Sequence, residues 1–130
     1  MPCPECGAQT LDFPVPSDAR DHLPDEREGA TLCTQCLAVT PLDDPPADYP
    51  DFTTVSEAFP SDGETAAVLA CLLAVVDSLA LYRSEVDALA TLAEGRGVDV
   101  LLFLHRLDRD ESVDPHFDVE RRERQLEQLI

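Results

Sequence analysis

At 130 residues the chain has room for one domain, or two very small ones, around a modest core. Its 27 Asp and Glu face nine basic residues, every one of them Arg, for a formal charge of -18. A disordered acidic tail is excluded, because 44% of the residues are hydrophobic and the acids are spread from Glu5 to Glu127 rather than blocked together.

A dispersed acidic coat without Lys suits a cytoplasm of molar salt, where a Debye length of about 3 Å screens carboxylate repulsion and carboxylate hydration supports solubility. The expectation is a halophilic source and a cytoplasmic location. The opening "MPCPECGAQT" has neither a basic start nor an apolar run, so it does not read as a secretory signal. The one membrane candidate, "TAAVLACLLAVVDSLAL", has 17 residues. It sits at the lower limit for a span and includes Asp77, so no membrane segment is expected.

Residues 1–42 contain two Cys-x-x-Cys pairs, Cys3 with Cys6 and Cys33 with Cys36. Around them "TLDFPV", "ATLC" and "LAVTPL" read as short strands. The polar stretch "PSDARDHLPDEREGA" between strands is turn-rich, with Ser17 placed to cap one helical turn.

A zinc ion takes four ligands in a tetrahedron, and each Cys-x-x-Cys turn supplies two thiolates from one tight chain reversal. Pro4 fixes the first turn, and Gly7 relieves crowding just past its second sulfur. The 26 residues between the pairs exceed the usual spacing, and the acidic insert from Ser17 to Gly29 accounts for the excess. The reading is one structural zinc per chain held by Cys3, Cys6, Cys33 and Cys36.

Disulfides are disfavoured by a reducing compartment, and a thioredoxin-type pair would open a helix, which neither pair does. Rubredoxin-type iron uses the same knuckles but prefers aromatic surroundings, and this region has Phe13 alone; metal analysis separates iron from zinc. With all four positions filled by sulfur no site remains for a catalytic water. A ribbon of this size buries too little apolar surface to fold by itself, so residues 1–42 are expected to need the metal.

From Pro41 to Pro60 five prolines mark an extended connector. Phe52, Val55 and Phe59 are spaced to dock on the helices C-terminal to them.

The helical part opens at "SDGETAAVLACLLAVV", with Ser61 and Glu64 fitting a capping box. Its apolar and Ala positions surround the helix, which marks it as the central element. Its Ala-rich face, if left uncovered by three neighbours, points to a homodimer. A second helix is expected from Ser84 as N-cap to Gly95 as left-handed stop. A third presents Val98, Leu101, Leu102, Phe103 and Leu104. A fourth opens with Asp114 as cap and Pro115 at the first helical position, anchored by Phe117, Leu126, Leu129 and Ile130. Short loops fit antiparallel neighbours.

The fold class expected is therefore α+β: a zinc ribbon over 1–42, a Pro-rich connector over 43–60 and a bundle of about four helices over 61–130. "CPECG" with "CTQC" in a Lys-free acidic chain resembles the small CPxCG-type zinc-ribbon proteins of haloarchaea. The segments "FPSDGETAAVLACLLAVVDSLALYR" and "DPHFDVERRERQLEQL" are similar to the helical part of one uncharacterised family in that group. The resemblance implies a ribbon joined to helices and implies no activity; it carries ligand roles onto the four cysteines only.

Cys71 reads as a buried small apolar residue, and His22, His105 and His116 as packing or surface residues. Arg121, Arg122 and Arg124 form a solvated face with local pairs such as Glu120 with Arg124, a docking helix for an acidic protein surface, or, third, a nucleic-acid contact. Nucleic acid is a weak fit, because residues 1–42 hold Arg20 and Arg27 against seven acids. With no phosphate loop or nucleophile motif, the expectation is a non-catalytic protein–protein adaptor with an unidentified protein partner; the alternative is a nucleic-acid-associated, transcription-related ribbon.

Overall fold

The computed structural model describes residues 2–129. It is α+β: three antiparallel strands near the N-terminus followed by helices. Strands β1 (Thr10–Pro14), β2 (Gly29–Cys33) and β3 (Val39–Leu42) lie in that order across one sheet. Thr10 pairs with Cys33, Phe13 with Ala30 and Thr31 with Thr40. Phe13, Ala30 and Leu32 are fully buried. The polar insert contains the single turn α1 (Ser17–Arg20), which Ser17 begins without capping it.

The connector is not wholly extended. It includes a 3-10 turn over Phe52–Thr54, capped by the Asp51 carboxylate, which accepts from the Thr53 N–H at 3.0 Å. Phe52, Val55 and Phe59 are all buried as their spacing requires. The connector lies close over two glycines: a Cβ on Gly29 would stand 2.4 Å from Pro45 Cβ, and one on Gly63 would stand 2.5 Å from Tyr49 Cβ.

Four helices complete the chain: α2 (Gly63–Val76), α3 (Arg83–Gly95), α4 (Val100–Asp108) and α5 (Val119–Leu129). Helix α2 is central and almost wholly enclosed, with Ala66, Ala67 and Ala70 at zero exposure and Ala74 half-buried, while Ala80 beyond its end is exposed. No helix among the described residues is long and apolar enough to cross a membrane.

Several boundaries differ from expectation, each for a local reason. Asp62, not Ser61, caps α2, its carboxylate accepting from both the Thr65 N–H (3.1 Å) and the Thr65 hydroxyl (2.6 Å). Helix α3 starts one residue before Ser84, and its left-handed stop is Gly97 (φ 89°) rather than Gly95. The Gly97 and Val98 N–H groups turn back to Glu94 and Ala93 carbonyls there, which satisfies the last turn. On α4, Val100, Phe103, Leu104 and Leu107 face inward, while Leu102 is 51% exposed.

Helix α5 begins at Val119 with Asp118 as its cap, not at Asp114 and Pro115. Residues 114–116 are engaged elsewhere: the Asp114 and His116 N–H groups donate to the Gln35 and Cys36 carbonyls at 2.7 and 2.9 Å. Leu126 is buried, Phe117 and Leu129 partly so, and Ile130 lies outside the described residues.

Four rings link sheet, connector and helices. Phe13 meets Phe52 (5.3 Å between centroids), Phe52 meets Phe59 (5.4 Å) and Phe59 meets Phe103 on α4 (5.1 Å). The buried apolar residues of the sheet, the insert and the connector join those of the helices in one core running from Phe13 to Leu126. Arg96 adds a surface clamp, binding Asp18 of α1 at 2.9 Å and Glu64 of α2 at 3.2 Å.

Candidate metal centre

The two knuckles are copies of one another offset by thirty residues. In the first, the Cys3 N–H donates to the Ala8 carbonyl (2.7 Å); in the second, the Cys33 N–H donates to the Ala38 carbonyl (2.9 Å). Gly7 and Leu37, each just past a second cysteine, both take left-handed backbone, with φ of 79° and 63°. Glycine at position 7 is legible from sequence; Leu37 is not, because nothing in "CTQCL" announces a positive φ.

These turns aim backbone donors at sulfur. The Glu5 N–H reaches Cys3 Sγ at 3.4 Å; the Gln35 and Cys36 N–H groups reach Cys33 Sγ at 3.4 and 3.3 Å. Ala8 and Ala38 N–H groups serve Cys6 and Cys36 in the same way. Such donors favour the charged thiolate over the thiol.

β1 pairing with β2 brings the knuckles together, and the four Sγ atoms lie within 4.8 Å of one another, a group that could hold a metal ion. Cys3 and Cys36 sulfurs are 3.7 Å apart and those of Cys6 and Cys33 are 3.4 Å apart. A tetrahedron with Zn–S near 2.3 Å has edges of about 3.8 Å, whereas a disulfide needs about 2.05 Å. All four cysteines are free thiols, and the donor set fits a soft tetrahedral ion.

Burial pushes the Cys33 thiol up, but the Cys36 and Gln35 N–H groups outweigh it and bring the thiol down to about 7. Burial, reinforced by the neighbouring thiols, drives Cys36 strongly upward. At Cys6 the Ala8 N–H pulls downward, yet the Cys33 sulfur and desolvation prevail and the net shift is up. Four sulfurs this close resist ionising together, and a dication held by them would remove that resistance.

None of the three histidines joins the sulfurs in the metal-capable set. His22 lies in the insert, its N–H bonded to Ala19. His105 sits between Arg109 and Glu123, and His116 stacks edge-on against Phe117 beside Asp77. Cys71 is 1% exposed within α2, and burial raises its thiol to about 12, as expected of an inert core residue. Arg122 faces Asp77 and Arg124 faces Glu120, while Arg121 has no ion-pair partner among the described residues.

A family model described as a family of unknown function, DUF6276, matches residues 2–130, and the chain belongs to that family. No curated protein and no solved structure matches it.

Proposed function

We propose that this member of the DUF6276 family binds one structural zinc ion through Cys3, Cys6, Cys33 and Cys36 and works as a non-catalytic protein–protein adaptor in a high-salt cytoplasm. The observation that carries the metal assignment is the approach of four sulfurs to near-tetrahedral spacing, each knuckle supplying N–H donors to its thiolates. A centre closed by four sulfurs has no free position for substrate or water, which supports an architectural role.

The adaptor role draws on what remains exposed. Leu81, at 73%, stands out in the loop after α2, and Leu102 stands out on α4. Against a nucleic-acid role, four of the nine arginines, Arg27, Arg96, Arg122 and Arg124, are each faced by a carboxylate of this same chain, and the nine stand against 27 acids.

Elemental analysis of the full chain purified from its own host tests the centre: one zinc per chain is expected, and stoichiometric iron or no metal refutes the assignment. Affinity capture from native lysate at high salt, with mass spectrometry, tests the adaptor role. A reproducible partner lost on Leu81→Glu or Leu102→Glu is expected; recovery of the bait alone argues against it.

A further inference from the structure

We propose that Cys6 is the point at which a small neutral peroxide attacks this centre, and that its oxidation closes a Cys6–Cys33 disulfide and opens the metal site. The inference rests on the four-sulfur metal reading and adds to it a modification site and a direction of disassembly.

Exposure separates Cys6 from its three partners. Cys3, Cys33 and Cys36 are 4%, 0% and 6% exposed, whereas Cys6 lies at the surface between exposed Glu5 and Gly7. The space beyond is open, since a Cβ on Gly7 would meet nothing within 4 Å. A peroxide molecule therefore reaches Cys6 Sγ without any movement of the fold.

The chemistry balances within two sulfurs. The Cys6 thiolate attacks one peroxide oxygen, the O–O bond breaks, hydroxide leaves, and Cys6 becomes a sulfenic acid. The Cys33 thiolate, 3.4 Å away, then attacks the Cys6 sulfur; the S–S bond forms, the S–O bond breaks and a second hydroxide leaves. Two thiolates supply two electrons, solvent supplies two protons, and peroxide becomes two waters. Cys3 and Cys36 alone remain as ligands.

The knuckles are also anchored unequally. The second is held by the Asp114 and His116 N–H groups on Gln35 and Cys36 carbonyls, with Leu37 fully buried. The first leans on its own turn, its sulfurs and the Thr34 bond to Gln9. The movement needed to bring sulfurs from 3.4 Å to about 2.05 Å falls on the Cys6 side, while sheet and helices stay in place.

The test uses the full, zinc-loaded chain with its metal counted beforehand, so that absent metal is recognised as failure of the parent reading. Hydrogen peroxide is added below one equivalent. Zinc release is followed with a chromogenic chelator, the first disulfide is mapped by peptide fragmentation without reduction, and helix content is followed by far-UV circular dichroism. Cys6–Cys33 as first product, zinc released in step with it and helices retained are expected. A first disulfide lacking Cys6, or release with Cys6 still reduced, overturns the proposal. Cys6→His keeps a fourth ligand but no accessible thiol, and should slow release by an order of magnitude or more; release at the parent rate also overturns it. Limiting maleimide on the loaded parent chain gives a reading independent of that variant: first adduct at Cys6 supports the proposal, first adduct elsewhere refutes it.

Discussion

Phe52→Ala is the perturbation that tests whether the cysteine-bearing sheet and the helices form one cooperative unit. Phe52 is 1% exposed, and its ring is the middle member between Phe13 of β1 and Phe59, which in turn meets Phe103 of α4. Truncating a buried Phe costs about 3–5 kcal/mol. The loss of two ring contacts, worth about 0.5–1.5 kcal/mol each beyond area, places this site toward the upper end. For a chain of this length that is a drop in Tm of roughly 10–20 °C, against a total stability on the order of 5–15 kcal/mol. Denaturation at constant high salt in a Tyr82→Phe background, which leaves Tyr49 as the single tyrosine, reads the effect by far-UV circular dichroism for the helices and tyrosine fluorescence for the connector. Both probes should shift together with an unchanged m-value. A loss below about 1 kcal/mol, or a connector transition that moves while the helical one does not, would refute the reasoning.

Gly7→Ala places a side chain in open space but at φ 79°, so its cost is conformational only, about 1–2 kcal/mol. Competition with a chelator should show metal affinity roughly 5- to 30-fold weaker, by the conversion of about 1.4 kcal/mol per decade. Asp62→Ala should lower the thermal midpoint while Ser61→Ala leaves it unchanged, because Asp62 alone caps α2. The Thr65 hydroxyl and N–H hold the Asp62 carboxyl below its ordinary value. Its contribution is therefore present above the unfolded carboxylate pKa and lost as pH falls through the lowered folded one; the difference between Asp62→Ala and the parent should vanish in strong acid. Removing the metal with a chelator should disorder the knuckles while the helical signal persists, because Phe13, Ala30 and Leu32 share the helices' core; loss of all helix content would contradict this.

The site was legible because its determinants are local. Cys-x-x-Cys states both the ligand type and the turn that presents it, and the strand pattern around it brings the halves together. The aromatic docking of Phe52 and Phe59 was legible for a similar reason, since large apolar residues in a Pro-rich stretch have nowhere else to go. What was hidden is non-local. Nothing near Asp114 or His116 says that their N–H groups bond to the Gln35 and Cys36 carbonyls, some eighty residues earlier in the chain, and that engagement delays α5 to Val119. Local size alone likewise hides that the sheet shares the helices' core.

The residue after each second cysteine shows how the two environments shaped one turn. Both positions require left-handed backbone, which costs a non-glycine residue about 1–2 kcal/mol. At position 37 the side chain enters the core at zero exposure, and burying a Leu contributes about 1.5–3 kcal/mol, enough to offset the strain. At position 7 the same direction leads to open solvent, no burial is available to offset anything, and glycine is the residue that fits. The knuckle carrying the buried Leu is also the one bonded to residues 114–116. The asymmetry of the cysteine cluster is thus a property of what lies outside it: one half is built into the protein and the other leans on its own turn and on the Thr34 bonds to Gln9.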